Sequence, residues 1–196
     1  MTVAEVVSEL EKDVIFYEQS GGGVSFSGGE PLLQHHFLLS LLKACRQRGF
    51  HTTVDTTGFT SPEILARVSP LVDLFLFDLK TLDEEKHREY TGVSNSLILG
   101  NLKRLAEWNK KIIVRIPVIP GVNDDPASMR NAGEFVASLG TVSEIHLLPY
   151  HTTGLEKLHR LGMENEMPPT TPPSADDLSL IVKELRTHVS TVSLGG

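Results

Sequence analysis

The chain has 196 residues, 40% of them hydrophobic and 22% charged, with 18 Lys and Arg against 25 Asp and Glu for a net charge of −7. That length accommodates one domain with a sizeable core, and the negative balance disfavours non-specific attraction to nucleic acid or anionic membrane. No run approaches the apolar length of a transmembrane helix, the acidic, amphipathic start MTVAEVVSELEK does not read as a signal peptide, and a cytoplasmic protein is the default.

In chain order, Thr2 with Glu5 forms a capping-box pattern that predicts a first helix through about Tyr17. GVSFS then reads as a strand, and a helix over His36 to Arg48 is ended by Gly49. HTTVD is a strand, and Ser61-Pro62 opens a short helix with proline in its first turn. LVDLFLFDL is apolar nearly throughout, as expected of a strand covered on both faces. Asp83 caps DEEKHREY, and a longer helix runs from about Leu97 to Trp108. KIIVRIPVI is a strand closed by Pro120-Gly121, and Asp125-Pro126 begins the next helix. EIHLLPY is a fifth strand, followed by a long loop holding Pro168, Pro169, Pro172 and Pro173, after which Ser174 caps a last helix to about His188. Strands that each lead into a helix mean repeated βαβ units and a parallel sheet in an α/β fold. No GxGxxG or GxxxxGK[ST] follows the first strand, which favours a barrel-like arrangement over the common nucleotide-binding open sheets.

Parallel α/β folds bind ligands outside the carboxyl ends of their strands. Here those positions are Gly28, Gly29 and Glu30; Asp55, Thr56 and Thr57; Asp78, Leu79 and Lys80; Arg115 with Asn123 and Asp124; and Pro149, Tyr150 and His151. A strand-end Asp is often a cap or turn residue, and for Asp55 taken alone that reading is preferred. Asp78 and Lys80 flank an apolar residue on one strand face, and buried charges are costly unless paired or ligand-bound. His146 reads as a packed strand histidine, and His35 and His36 as solvated helix-start residues. Together the strand ends suit a ligand with an amine, a carboxylate and a polar ring system. Glu30 and the carbonyls beside Gly29 would meet the amine, Lys80 the carboxylate, Asp55 and Asp78 a hard cation, and His151 a ribose or purine. S-adenosylmethionine has that chemistry.

GGGVSFSGGEPLLQ, HTTVDTTGF, LFLFDLK, VRIPVIPGVNDD and EIHLLPYH, in this order and spacing, resemble the glycyl-radical-enzyme activating enzymes. These are radical S-adenosylmethionine proteins typified by pyruvate formate-lyase activating enzyme. The match runs from about Thr2 to His151 and more weakly through the last helix. It implies a partial (β/α)6 TIM-like barrel of parallel strands with the first strand missing, as a single N-terminally truncated domain over residues 1–196. It also implies that Gly28-Gly29-Glu30 meets the methionyl amine, that Asp78-Leu79-Lys80 handles the methionyl carboxylate, and that His151 contacts the nucleoside. Asp55, Thr56, Asp78 and Leu79 match a monovalent-cation site for Na+ or K+, and Arg115 an inward strand position near the partner's glycine loop. The implied partners are a glycyl radical enzyme of formate-lyase, dehydratase or decarboxylase type and a reductant such as flavodoxin or ferredoxin.

The family holds a [4Fe-4S] cluster on a CxxxCxxC loop, and this chain has no such motif. Its single cysteine, Cys45, excludes an internal disulfide and cannot replace three thiolates; set among leucines, it reads as a small buried helix residue. The expectation is an activating enzyme whose sequence begins at an internal methionine or is a fragment, inactive by itself. Two alternatives stand beside it: a non-catalytic S-adenosylmethionine- or partner-binding module, and a barrel hydrolase or lyase using Asp55, Asp78 and His151 on a divalent metal.

Overall fold

The computed structural model of the chain describes residues 1–151 and 171–195. Among these residues, six strands form one sheet in sequence order: β1 (Gly23–Phe26), β2 (His51–Thr56), β3 (Leu74–Asp78), β4 (Ile112–Val118), β5 (Glu144–Pro149) and β6 (Thr191–Leu194). The pairings β1–β2, β2–β3, β4–β5 and β5–β6 are parallel. The α/β class and parallel sheet read from the sequence are present. The sixth strand was not expected: TVSL is only four residues long and follows the last helix with little punctuation. Pro168 and Pro169, in the expected long loop, lie outside the described residues.

The helices are α1 (Val3–Leu10), α2 (Val14–Ser20), α3 (His35–Gln47), α4 (Pro62–Val68), α5 (Glu84–Thr91), α6 (Ser96–Glu107), α7 (Pro126–Ser138) and α8 (Ala175–Leu185). Their starts follow side-chain chemistry. Thr2 and Ser174 close capping boxes, while the side chains of Ser61, Asp83 and Asp125 each accept a backbone N–H of the first turn. The first helix does not run on to Tyr17. A 3₁₀ turn over Glu11–Asp13 separates α1 from α2, since a capping signal fixes where a helix begins and not how far it runs.

Two compact units divide the chain: Met1–Asp78 with Leu97–Ile113, and Leu79–Ser96 with Val114–Gly196. The first carries β1, β2 and β3. Its core gathers Leu38, Leu42 and Cys45 of α3, Leu65 and Val68 of α4, Leu102 and Leu105 of α6, and Val54, Phe75 and Phe77 of the strands. A Cβ on Gly23 would lie 2.1 Å from the His51 carbonyl oxygen, so β1 meets β2 there through bare backbone. The second unit carries most of β4 with β5 and β6. Along β4, Ile112, Val114, Ile116 and Val118 are buried while Ile113, Arg115 and Pro117 are partly exposed. The same alternation holds in β3: Phe75 and Phe77 are fully buried, whereas Leu74, Leu76 and Asp78 are half-buried. The expectation that β3 is covered on both faces is therefore corrected, and apolar residues on its second face explain why the sequence suggested full cover.

Gly58, just beyond β2, adopts φ +72°, and a Cβ there would sit 2.4 Å from Cζ of the fully buried Phe77 ring. A side chain would add both left-handed backbone strain and overpacking. Gly58→Ala is expected to cost about 2–4 kcal/mol of unfolding free energy, measured as a lowered urea midpoint at unchanged slope.

Candidate functional site

In the first unit, β1 runs out into Ser27-Gly28-Gly29-Glu30 and then a 3₁₀ turn over Pro31–Gln34. Glu30 caps that turn by accepting the Leu32 N–H on Oε1 at 3.1 Å. Thr56 Oγ1 donates to the same oxygen at 2.6 Å. Thr57 donates twice to Oε2, from its backbone N–H at 2.9 Å and from its hydroxyl at 2.7 Å. Four donors thus meet a carboxylate that has about four acceptor positions. These bonds give Glu30 a positional role: it binds the end of β2 to the loop after β1. Beside it, Ser27 Oγ donates to Asp55 Oδ2 at 3.1 Å, so the strand-end carboxylate on β2 is also held by the β1 exit.

The glycines between these anchors are exposed. Gly28 has φ +132°, a value that side chains rarely adopt, and a Cβ on Gly28 or Gly29 would meet nothing within 4 Å. Bare backbone therefore faces open space on a loop whose two ends are fixed, which suits close approach by a polar ligand.

Sequence reasoning did not single out the residue that holds the next turn. Asn101 of α6, fully buried, donates through Nδ2 to the carbonyls of Gly58 at 2.8 Å and Thr60 at 2.7 Å. The signal was present in Ile98, Asn101, Leu102 and Leu105, a buried helix face on which one position is an amide.

In the second unit, Leu79 N–H donates to the Arg115 carbonyl at 2.9 Å, placing the Leu79-Lys80 segment beside β4. Asn123, 3% exposed, fixes the loops there. Its Nδ2 donates to the carbonyls of Lys80 and Pro117, each at 2.7 Å, and its Oδ1 accepts the Ile119 N–H at 2.9 Å. Lys86 Nζ donates to the Val122 carbonyl at 3.0 Å and stands 3.7 Å from Asp125. The Asp125 carboxyl lies below the usual carboxylate range, chiefly because Ser128 donates to it and secondarily because of Lys86. Arg115 is level with His146 across β4–β5, and His146 with Ser193 across β5–β6. His146 Nε2 pairs with Glu144 Oε1 at 2.8 Å, in keeping with a packed strand histidine. His151 is exposed, just past the end of β5.

The structure therefore brings Gly28, Gly29, Glu30, Asp55, Thr56 and Thr57 together in one unit, with Asp78 ending the neighbouring strand β3. Leu79, Lys80, Arg115 and His151 belong to the other unit. Asp55, Asp78, Lys80 and Arg115 all have interaction partners within the protein.

The profile of the Radical SAM superfamily matches residues 1–131, which include the glycine loop, both strand-end aspartates, Lys80 and Asn123. The chain belongs to the radical SAM superfamily. It is 39% identical over 198 residues to a trans-4-hydroxy-L-proline dehydratase activating enzyme of Clostridioides difficile, covering 100% of this chain and 65% of that protein. It is 37% identical to a choline trimethylamine-lyase activating enzyme of Oleidesulfovibrio alaskensis, covering 98% of this chain and 63% of that protein. The chain thus spans under two thirds of the length of these relatives. A crystal structure of a domain of pyruvate-formate lyase-activating enzyme from Bacteroides vulgatus superposes with a TM-score of 0.75 at 36% identity, covering 89% of this chain and 99% of that one. The resemblance drawn from the five motifs and these matches agree.

Radical SAM membership implies S-adenosylmethionine and a [4Fe-4S] cluster. The open backbone at Gly28 and Gly29 fits the first. The residues present do not fit the second. Cys45 is the chain's single cysteine; it is fully buried in α3, and desolvation pushes its thiol pKa up, away from the thiolate that iron requires. No helix among the described residues is long and apolar enough to cross a membrane.

Replacing Glu30 by Gln puts an amide donor where either Thr57 or the Thr56 and Leu32 donors already point. Glu30→Gln is expected to cost about 1.5–3 kcal/mol, read by urea unfolding, with faster hydrogen exchange at the Thr57 amide.

Proposed function

We propose that this chain is the S-adenosylmethionine-binding part of an activating enzyme that installs a glycyl radical on a partner enzyme. The observation that carries this reading is the glycine loop, held open by a carboxylate whose hydrogen bonds are all made within the chain, inside a stretch shared with activating enzymes. In this reading the backbone at Gly28 and Gly29 accepts from the methionyl amine, and Glu30 keeps that backbone in place. Lys80 pairs with the methionyl carboxylate from a segment whose backbone Asn123 holds. His151 contacts the nucleoside, and Arg115 serves the partner's glycine loop. Asp55, Thr56, Asp78 and Leu79 hold Na+ or K+. S-adenosylmethionine supplies the family with the 5′-deoxyadenosyl group that removes hydrogen from a glycine. The chain's own contribution is to bind and orient it. The partner is a glycyl radical enzyme of the formate-lyase, dehydratase or decarboxylase type, with flavodoxin or ferredoxin as reductant, in the cytoplasm.

The divalent-metal hydrolase alternative gains no support. Among the described residues no group of three His, Cys, Asp or Glu side chains is gathered around a common point.

Isothermal titration of the folded chain with S-adenosylmethionine tests the proposal. Binding is expected, and Lys80→Ala should weaken it by about tenfold, about 1.4 kcal/mol. Folded protein that takes up no S-adenosylmethionine would overturn the reading. Anaerobic incubation of the 196-residue chain with iron and sulfide should yield no stoichiometric [4Fe-4S] absorption band, since one buried thiol cannot supply three ligands.

A further inference from the structure

At the amino ends of β2 and β3, opposite to the glycine loop within the first unit, lies a cavity of about 620 Å³. Arg46, Lys110 and Lys111 line it together with Phe50, His51 and Asp73. Three cations thus share a cavity with one carboxylate, in a chain whose net charge is −7. The Asp73 carboxylate is engaged by its own unit, Oδ2 accepting from the Thr52 N–H at 2.7 Å and the Thr52 hydroxyl at 3.0 Å. Among the described residues no carboxylate pairs with Lys110, Lys111 or Arg46. Arg46 donates one Nη1 hydrogen bond to the Pro70 carbonyl at 2.7 Å, which anchors the guanidinium at the rim and leaves its other N–H groups available.

Cations near a helix C-terminus commonly serve the carbonyls of its last turn. Here Arg48 Nη1 takes that task at the Ala44 carbonyl of α3, at 3.2 Å, and backbone N–H groups serve the carbonyls that follow. At the end of α6, Asn109 N–H donates to Ala106 and Lys110 N–H to Leu105, with Asn109 at φ +53°. At the end of α3, the N–H groups of Arg48 and Phe50 both donate to Cys45 and that of Gly49 to Arg46. Arg46 and Lys111 are exposed and Lys110 is half-buried, and none of the three is paired with a carboxylate among the described residues, so their charges are available to an anion seated between them.

We propose that this cavity binds a phosphorylated small molecule carrying at least two negative charges. Its volume falls in the range of small-ligand sites. Arg46 offers the planar fork that suits phosphate oxygens, Lys110 and Lys111 supply point charge, and Phe50 with Leu71 forms an apolar wall for the rest of the ligand. The site is independent of the S-adenosylmethionine reading, since it uses none of the same residues.

The test is titration of the 196-residue protein with inorganic pyrophosphate, by calorimetry in phosphate-free buffer of low ionic strength. One-site binding is expected. It should weaken at least tenfold in the Lys110→Ala/Lys111→Ala double variant and severalfold in Arg46→Lys, which keeps the charge and loses the fork. Lys43→Ala, an exposed lysine of α3 outside the cavity, should bind as the parent does. Circular dichroism confirms that each variant is folded. Absence of pyrophosphate binding, equal binding by the double variant, or equal weakening by Lys43→Ala would each overturn the proposal.

Discussion

A carboxylate meeting four donors is the constraint around which the first unit's strand ends are arranged. β1 and β2 are parallel neighbours, so their exit loops leave the sheet side by side and need a link that backbone ladders no longer provide. Glu30 supplies it, joining the turn after β1 to Thr56 and Thr57 at the end of β2. Charge-assisted hydrogen bonds are roughly twice as strong as neutral ones, and here they act on one side chain from both oxygens. The glycines can then be left without side chains and still hold one conformation. An open loop and a well-defined loop are usually in conflict; a fixed anchor immediately beside the glycines resolves it.

Two of the three asparagines buried among the described residues solve a related problem with neutral groups. Asn101 turns its amide toward the carbonyls of Gly58 and Thr60 beyond β2, and Asn123 toward those of Lys80 beyond β3 and Pro117 near the end of β4. An amide carries donors and an acceptor, so it can stand in for the hydrogen bonds that a strand gives up where it becomes a loop. The loops that carry Gly58 and Lys80 are thereby held by side chains from a neighbouring helix or loop. This separates the residues that would meet a ligand from the residues that place them.

The sequence made the alternation of strands and helices legible because caps and apolar runs are local signals. Thr2, Ser61, Asp83, Asp125 and Ser174 all cap where expected. The break between α1 and α2 and the short strand β6 were not legible, since both depend on what the segment packs against. The strand-end positions were readable from topology, but the work of Glu30 was not. Its spacing shows a carboxylate beside glycines, and only the placement of Thr56 and Thr57, more than 25 residues away in sequence, shows that its oxygens are already engaged. Asn101 hid within an apolar helix face, where a polar residue is the one anomaly that marks a backbone contact.

The burial of Cys45 has a practical consequence. With its thiol buried on the inner face of α3 and held toward the protonated form, the native chain is expected to react slowly with maleimides and other thiol reagents. A cysteine placed on the surface of each unit would then take a spectroscopic label without first removing the native one. The parent sequence thus serves directly as the background for distance measurements between the unit bearing the glycine loop and the unit bearing Lys80, with and without an added ligand.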